Sequence, residues 1–470
     1  MRRATLYILI VLAYLGSNQF VYPLPLGIAV FPFRVWLPVA LGVYLLVRQW
    51  GVPVQPRLLR QANVFLFAWL IYGAIQLVYA FDVEEGIRYW LFLATNILFA
   101  YLVCGYLNDM GDLNMYMRVC TAVLVGLLIL ATWEYTTGRH LLLSAYNVTT
   151  AKTGTVVRML YSTQEGHRSL LYMPTGTFVN PNDFAYALVL LVPMVLGWMI
   201  LTQRTVVRLL LAGVGLWSLF IISITQSRAS LMSLLLVICP VFFLGGVTNP
   251  RTRLSIVAVV VLLVVAIVVG LVVSPQGKDI VARRLEEGLE ILSFDYVRQD
   301  VRWALSANAF YFMAKTFGFG VGTRQTVAKV LAGEGVVGTG KVASTHNMWA
   351  EILGDYGLII FVPLVLGYVG IMRHLWRHRQ EAVNRSVSVH SITAMSMMLG
   401  MLPAALSPSG GIYLIPTFAT LGYVLATVKC IAREDESPSW LPENELYQEV
   451  AYGDPDPAVS HGLPSAPARE

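Results

Sequence analysis

Four short stretches of this sequence hold residue types able to do chemistry on a charged substrate. His346 and Asn347 open "HNMWAEILGDYG", which runs on into an apolar stretch, and Glu351 and Asp355 follow four residues apart in the same segment. Arg228 sits in "SITQSRASLMSLLL", where two apolar runs meet. Arg298 and Arg302 stand four apart in "DYVRQDVRWAL". A histidine with a reference pKa of about 6.5 can accept a hydroxyl proton near neutral pH. Arginine presents a planar fork of donors that matches phosphate oxygens. Ionisable groups at membrane depth are costly and mark pathways or reaction sites. Arginines on the outer face, where topogenic charge does not explain them, point to an external anion.

Each also has an ordinary reading. Arg228 could snorkel to headgroups from a tight turn. His346 follows Ser344 and Thr345, both plausible helix N-caps. Arg298 and Arg302 lie near Glu290, Asp295 and Asp300 and could form a solvated charged face. Glu351 and Asp355 could pair with other helices for packing alone. The ordinary readings weaken because the features converge on one membrane face.

The elements that must position these residues are membrane spans. The chain has 470 residues, 57% hydrophobic and 13% charged, with mean hydropathy +0.65. A soluble protein carries nearer about a quarter charged residues. This is an all-α polytopic membrane protein. Net charge is +6, but the basic residues fall in short loops, as topogenic charge does, rather than in a nucleic-acid patch. The four cysteines show no paired spacing, so neither a disulfide framework nor a metal knuckle is expected.

Hydropathy implies about 12 transmembrane helices. They begin near Thr5, Ile28, Ala62, Ile87, Arg118, Asn182, Val206, Arg228, Thr252, His346, Ser388 and Gly411. With the N-terminus cytoplasmic, Arg48, Arg57, Arg60, Arg204, Arg208, Arg251, Arg253 and the basic "MRHLWRHRQEAVNR" all fall inside. Both termini are then cytoplasmic and the His346 face is periplasmic. Two long periplasmic loops are expected, at about residues 137–181 and 274–345. The span domain covers 1–429, and the Pro- and acid-rich 430–470 reads as a disordered cytoplasmic tail.

Other motifs fail on chemistry. "GVVGTGKV" has Val342 where a phosphate-binding loop needs Ser or Thr for magnesium. His374 and His378 are four apart but sit in the basic inner loop, where contact with anionic lipid suits them better than zinc. No metal site and no cofactor is expected.

"TGTFVNPNDFAYAL" (Thr175 to Leu188), "TQSRASL", "VRWALSANAFYFMAKTFGFGVGT" and "HNMWAEILGDYGLI" occur in that order. In this order and topology the chain resembles the bacterial O-antigen ligase and polymerase family, most clearly over about 175–370. The resemblance implies a GT-C-like helical bundle and a metal-independent glycosyltransferase of the cell inner membrane. Such an enzyme moves a glycan from a polyprenyl-diphosphate carrier to an acceptor hydroxyl at the periplasmic face. A ligase uses the lipid A core as acceptor, and a polymerase uses a second lipid-linked glycan. Arg228 matches the family's "SR" arginine and His346 its "HN" histidine, while Asp355 and Gly357 fall on its acid–x–Gly positions. The family's loop arginine lies four residues before a tryptophan, a slot held here by Gln299 and flanked by Arg298 and Arg302. The resemblance implies His346 as base, and Arg228 with Arg302 or Arg298 on the diphosphate. Asn347, Asp355 and Glu351 are expected in support. A lipid or glycan transporter or flippase is the reading of another class, favoured by charge at the midplane rather than at one face.

Overall fold

A computed structural model describes residues 2–15, 22–23, 29–30, 32–47, 56–139, 142, 173–244, 301–339, 346–382, 384–408 and 410–436. In chain order the elements are α1 (Arg2–Ala13), β1 (Tyr22–Pro23), β2 (Ala29–Val30), α2 (Pro32–Val47) and α3 (Arg57–Gln76). There follow α4 (Val83–Tyr106), α5 (Met110–Thr137), α6 (Pro181–Leu201), α7 (Thr205–Ile224) and α8 (Arg228–Leu244). The last five are α9 (Val301–Lys315), α10 (Gln325–Leu331), α11 (Met348–Glu381), α12 (Arg385–Ala404) and α13 (Ile415–Glu436). The two-residue strands pair antiparallel, and the rest of the regular structure described is helical.

Eight of these helices are long and apolar enough to cross a bilayer: α3 to α7 and α11 to α13. The expected count of twelve is therefore not reached among the described residues. α2 and α8 are apolar but shorter, and α1 is helical for 12 residues, about 18 Å against a core of about 30 Å. The expected span near Thr252 lies outside the described residues, as do most of the two long loops. The chain divides into two units, Met1–Cys430 and Ile431–Glu470.

Helix starts follow local chemistry. Asp82 caps α4 by accepting from Glu85 N, and Asp109 caps α5 by accepting from Asp112 N. Asn180 caps α6, with Pro181 at the first helical position. Without a strong hydrophobic drive between helices in lipid, close approach depends on small residues. A side chain at Gly197 would strike Thr393, one at Gly400 would strike Val237, and one at Gly422 would sit 2.7 Å from Val103. α6 is accordingly buried all round from Phe184 to Gly197, the signature of a central helix, while α3 and α7 expose much of their apolar surface.

Candidate active site

The centre of the site is a break in α11. Gly357 has φ 67° and ψ −165°, a conformation open in practice to glycine alone. The rings of Trp349 and Tyr368 stand 6.5 Å apart, although 19 residues of straight helix would part them by about 28 Å. The nine residues before the break thus fold back beside the span. Backbone groups freed there are taken up by the loop "FGFGVG": Leu358 N donates to Gly318 O (2.8 Å), Val321 N to Gly354 O (3.0 Å) and Gly322 N to Asp355 O (2.8 Å). A Cβ at Gly320 would lie 2.5 Å from Asp355 O, so the loop's glycine is what permits the approach. Gln76, the last residue of α3, donates to both Asp355 O (3.0 Å) and Phe319 O (3.1 Å).

Glu351 and Asp355, the two acids of α11 before the break, face into this junction and are fully buried. Asp355 accepts from Arg324 N (2.8 Å) and Thr326 N (3.0 Å), so it caps α10 from another helix. Glu351 pairs with the Arg324 guanidinium at 2.5 Å. Arg324 also lies over the Tyr89 ring, 4.6 Å from its centroid. Burial works against its charge, but Tyr89, Glu351, Tyr413 and Asp355 outweigh that cost and hold its pKa above the ordinary value. Sequence reasoning missed Arg324. Its one signal was an arginine directly after a glycine-rich stretch otherwise free of charge.

His346 and Asn347 stand at the start of α11. Asn347 caps the helix, accepting from Trp349 N (3.1 Å) and Ala350 N (3.2 Å), while Ser344 and Thr345 lie outside the described residues. Its amide also donates to Ser306 Oγ (3.3 Å), on α9 one turn beyond Arg302. His346 has φ 45° and is partly buried. Burial and the nearby Arg302 charge lower its pKa below the usual imidazole value, while a bond to the Ser407 backbone pulls the other way and Arg324 adds to the lowering. Ser407 Oγ lies 3.0 Å from Ser227 Oγ, and Ser227 immediately precedes Arg228, the exposed first residue of α8. One short chain of contacts therefore joins His346 to the turns or helices that carry Arg228 and Arg302. Arg298 lies outside the described residues. Among the described residues no group of three or more His, Cys, Asp or Glu could hold a metal ion.

Residues 213–365 match the family model Wzy_C, O-antigen ligase. The resemblance to the O-antigen ligase and polymerase family holds. The matched segment contains Arg228, Arg302, Arg324, His346, Glu351 and Asp355; the Thr175 to Leu188 motif precedes it. The chain is also 27% identical over 449 residues to the teichuronic acid biosynthesis protein TuaE of Bacillus subtilis (strain 168), covering 93% of this chain and 86% of that protein. This is a membrane protein with transmembrane helices, similar to proteins of polysaccharide biosynthesis.

Proposed function

We propose that this protein is a glycosyltransferase that moves a glycan from a polyprenyl-diphosphate carrier to an acceptor hydroxyl at the periplasmic face of the inner membrane. The observation that carries this reading is the contact chain that sets a partly buried histidine among arginine-bearing elements within the matched segment. In the reaction, the acceptor oxygen attacks the anomeric carbon and its proton passes to neutral His346. The bond from that carbon to the diphosphate breaks, and the electron pair leaves on the diphosphate oxygen. Arg228 and Arg302, with Arg298 a further candidate, stabilise that charge through charge-assisted hydrogen bonds. The diphosphate is a good leaving group, so the mechanism needs no metal.

The lowered pKa of His346 suits this role, because the ring is then neutral over a wider pH range and able to accept a proton. Asn347 positions rather than reacts: its side chain is committed to capping α11 and to Ser306.

The first acceptor proposed is the lipid A core, as in a ligase. The second reading is a polymerase, whose acceptor is another lipid-linked glycan. It is supported by the Bacillus subtilis relative, which is named for teichuronic acid biosynthesis rather than for lipopolysaccharide. Purified protein in lipid, given a polyprenyl-diphosphate oligosaccharide with and without lipid A core, separates them. Product on the core alone identifies a ligase, and a ladder of longer lipid-linked glycans without the core identifies a polymerase. Movement of the donor between leaflets with no transfer overturns both in favour of a flippase.

A further inference from the structure

α9 has one face fixed in the protein and one face open. On the fixed side Ala309 lies against Gly354 of α11, where an added Cβ would come 3.1 Å from that of the alanine. Asn308 exchanges two hydrogen bonds with Val337, both of 2.9 Å, and Leu305 and Phe312 join a buried cluster with Val321, Val327 and Val330. Ser306 is bonded to Asn347, next to His346. The helix is thus held as a rigid rod whose first turn stands at the site.

Its open side is aromatic. Trp303 is 45% exposed, Phe310 is 54% exposed, and Phe317, just past the end of the helix, is 93% exposed. Residues seven apart return to nearly the same side of a helix about 10.5 Å further along, so Trp303 and Phe310 stand in one row. Phe317 follows at the same interval in sequence. Ser306 and Ala307 fall between the first two rings and leave a low place there. An exposed apolar row of this kind marks a contact surface. α9 is not among the helices long and apolar enough to cross a bilayer, and exposed Arg302 and Lys315 bracket the row, so lipid is a poor match for it.

The row begins beside Arg302, to which the proposed function gives the diphosphate. The first sugar of the donor is bonded directly to that diphosphate, so the glycan must leave the site from this point. A pyranose ring presents a face of C–H groups, slightly positive, that packs flat on the negative face of an aromatic ring. The step of about 10.5 Å along the helix is close to the length of two linked pyranose rings. We propose that the open face of α9 is the track on which the donor's glycan lies, with Trp303 under its first sugars and Phe310 and Phe317 under later ones. This rests on the glycosyltransferase reading and deepens it: the preferred donor carries several linked pyranoses rather than one. The rings hold the chain in place and take no part in bond making.

The test uses the full chain in phospholipid vesicles with two donors on the same polyprenyl diphosphate, one bearing a single sugar and the other an oligosaccharide long enough to pass Phe310. The unaltered protein is expected to favour the longer donor in kcat/KM by about tenfold, and equal use of the two overturns the proposal. Phe310→Ala is expected to remove most of that advantage by raising KM for the longer donor. Phe310→Tyr keeps a flat ring and should retain the advantage, whereas Phe310→Leu is apolar without a ring and should lose it. Phe67→Ala takes a ring of similar exposure (63%) from α3 and should leave the advantage intact. If Phe310→Leu keeps the advantage, the face meets lipid and not sugar, and the proposal falls. It falls too if Phe310→Ala slows both donors equally, as loss of a merely structural ring would. If the length of the acceptor's glycan sets the dependence on Phe310 instead, the track is not the donor's. If the unaltered protein transfers from neither donor, the glycosyltransferase reading fails and this proposal with it, a result distinct from loss of the advantage alone.

Discussion

Arg324 and Arg228 stand at the same end of the helix bundle in opposite surroundings. Arg324 is 9% exposed, stacked on Tyr89 and paired with a fully buried Glu351. Arg228 is exposed at the first residue of α8, in a turn fastened by the hydroxyls of Ser227, Ser230 and Ser407. A buried arginine already held by a carboxylate is shielded from an anion arriving from outside, and removing its partner strands a charge. An exposed one on a fixed turn stands where a diphosphate arriving from outside can reach it. The buried acids and Arg324 thus make a frame, and the proposed function gives the chemistry to the more open Arg228, Arg302 and His346.

That division can be broken. Glu351→Ala leaves Arg324 buried and unpaired and should cost about 3–5 kcal/mol, read as a large fall in Tm in detergent. An unchanged Tm would remove the frame from the account. Arg228→Ala should lower transfer about 10²- to 10³-fold while Tm stays close to that of the unaltered protein. If its Tm falls as far as that of Glu351→Ala, the two arginines do the same job and the comparison collapses. Asn347→Ala loses the cap of α11 and should cost about 1 kcal/mol, with a moderate fall in kcat because the His346 end of the helix loosens. Unaltered kcat and Tm together would exclude Asn347 from positioning.

The smallest effect sharpens the rim. The charge on Arg302 disfavours protonated His346, so Arg302→Gln should raise the histidine's pKa. The ring then stays protonated to higher pH, and the acid limb of the rate profile moves upward, by less than about one pH unit. A limb that stays still or moves downward would separate Arg302 from the histidine.

Much of the fold was legible in the sequence where the signal is an apolar run with a sharp edge. The expected starts at Asn182, Val206 and Arg228 fall within one residue of α6, α7 and α8. α5 begins eight residues before the expected Arg118, because its first two turns mix Asp112 and Asn114 with apolar residues and dilute the hydropathy. The break at Gly357 was invisible. A glycine inside an apolar helix is common enough to pass, and only a loop from some 40 residues upstream reveals what it does. Within the site, Arg228, Arg302 and His346 stood out because charge at a membrane face is costly. Glu351 and Asp355 stand out for the same reason, with a supporting role or pairing to another helix as their readings. Their partner Arg324 lies on another element, and no periodicity within a helix could link them.

The hydrogen bond from Gln76 to Asp355 spans 279 residues of sequence. A chain made from its N-terminus has placed α3 to α8 well before the residues that close this junction exist. The folded-back start of α11 and the glycine loop that clasps it are therefore a late closure, and closing so wide a loop is slow. Until it happens, α3 has no partner for its last amide, and His346 has no fixed place. By order of synthesis, placement of α3 to α8 and closure of the site are separate steps, and the second waits on the first.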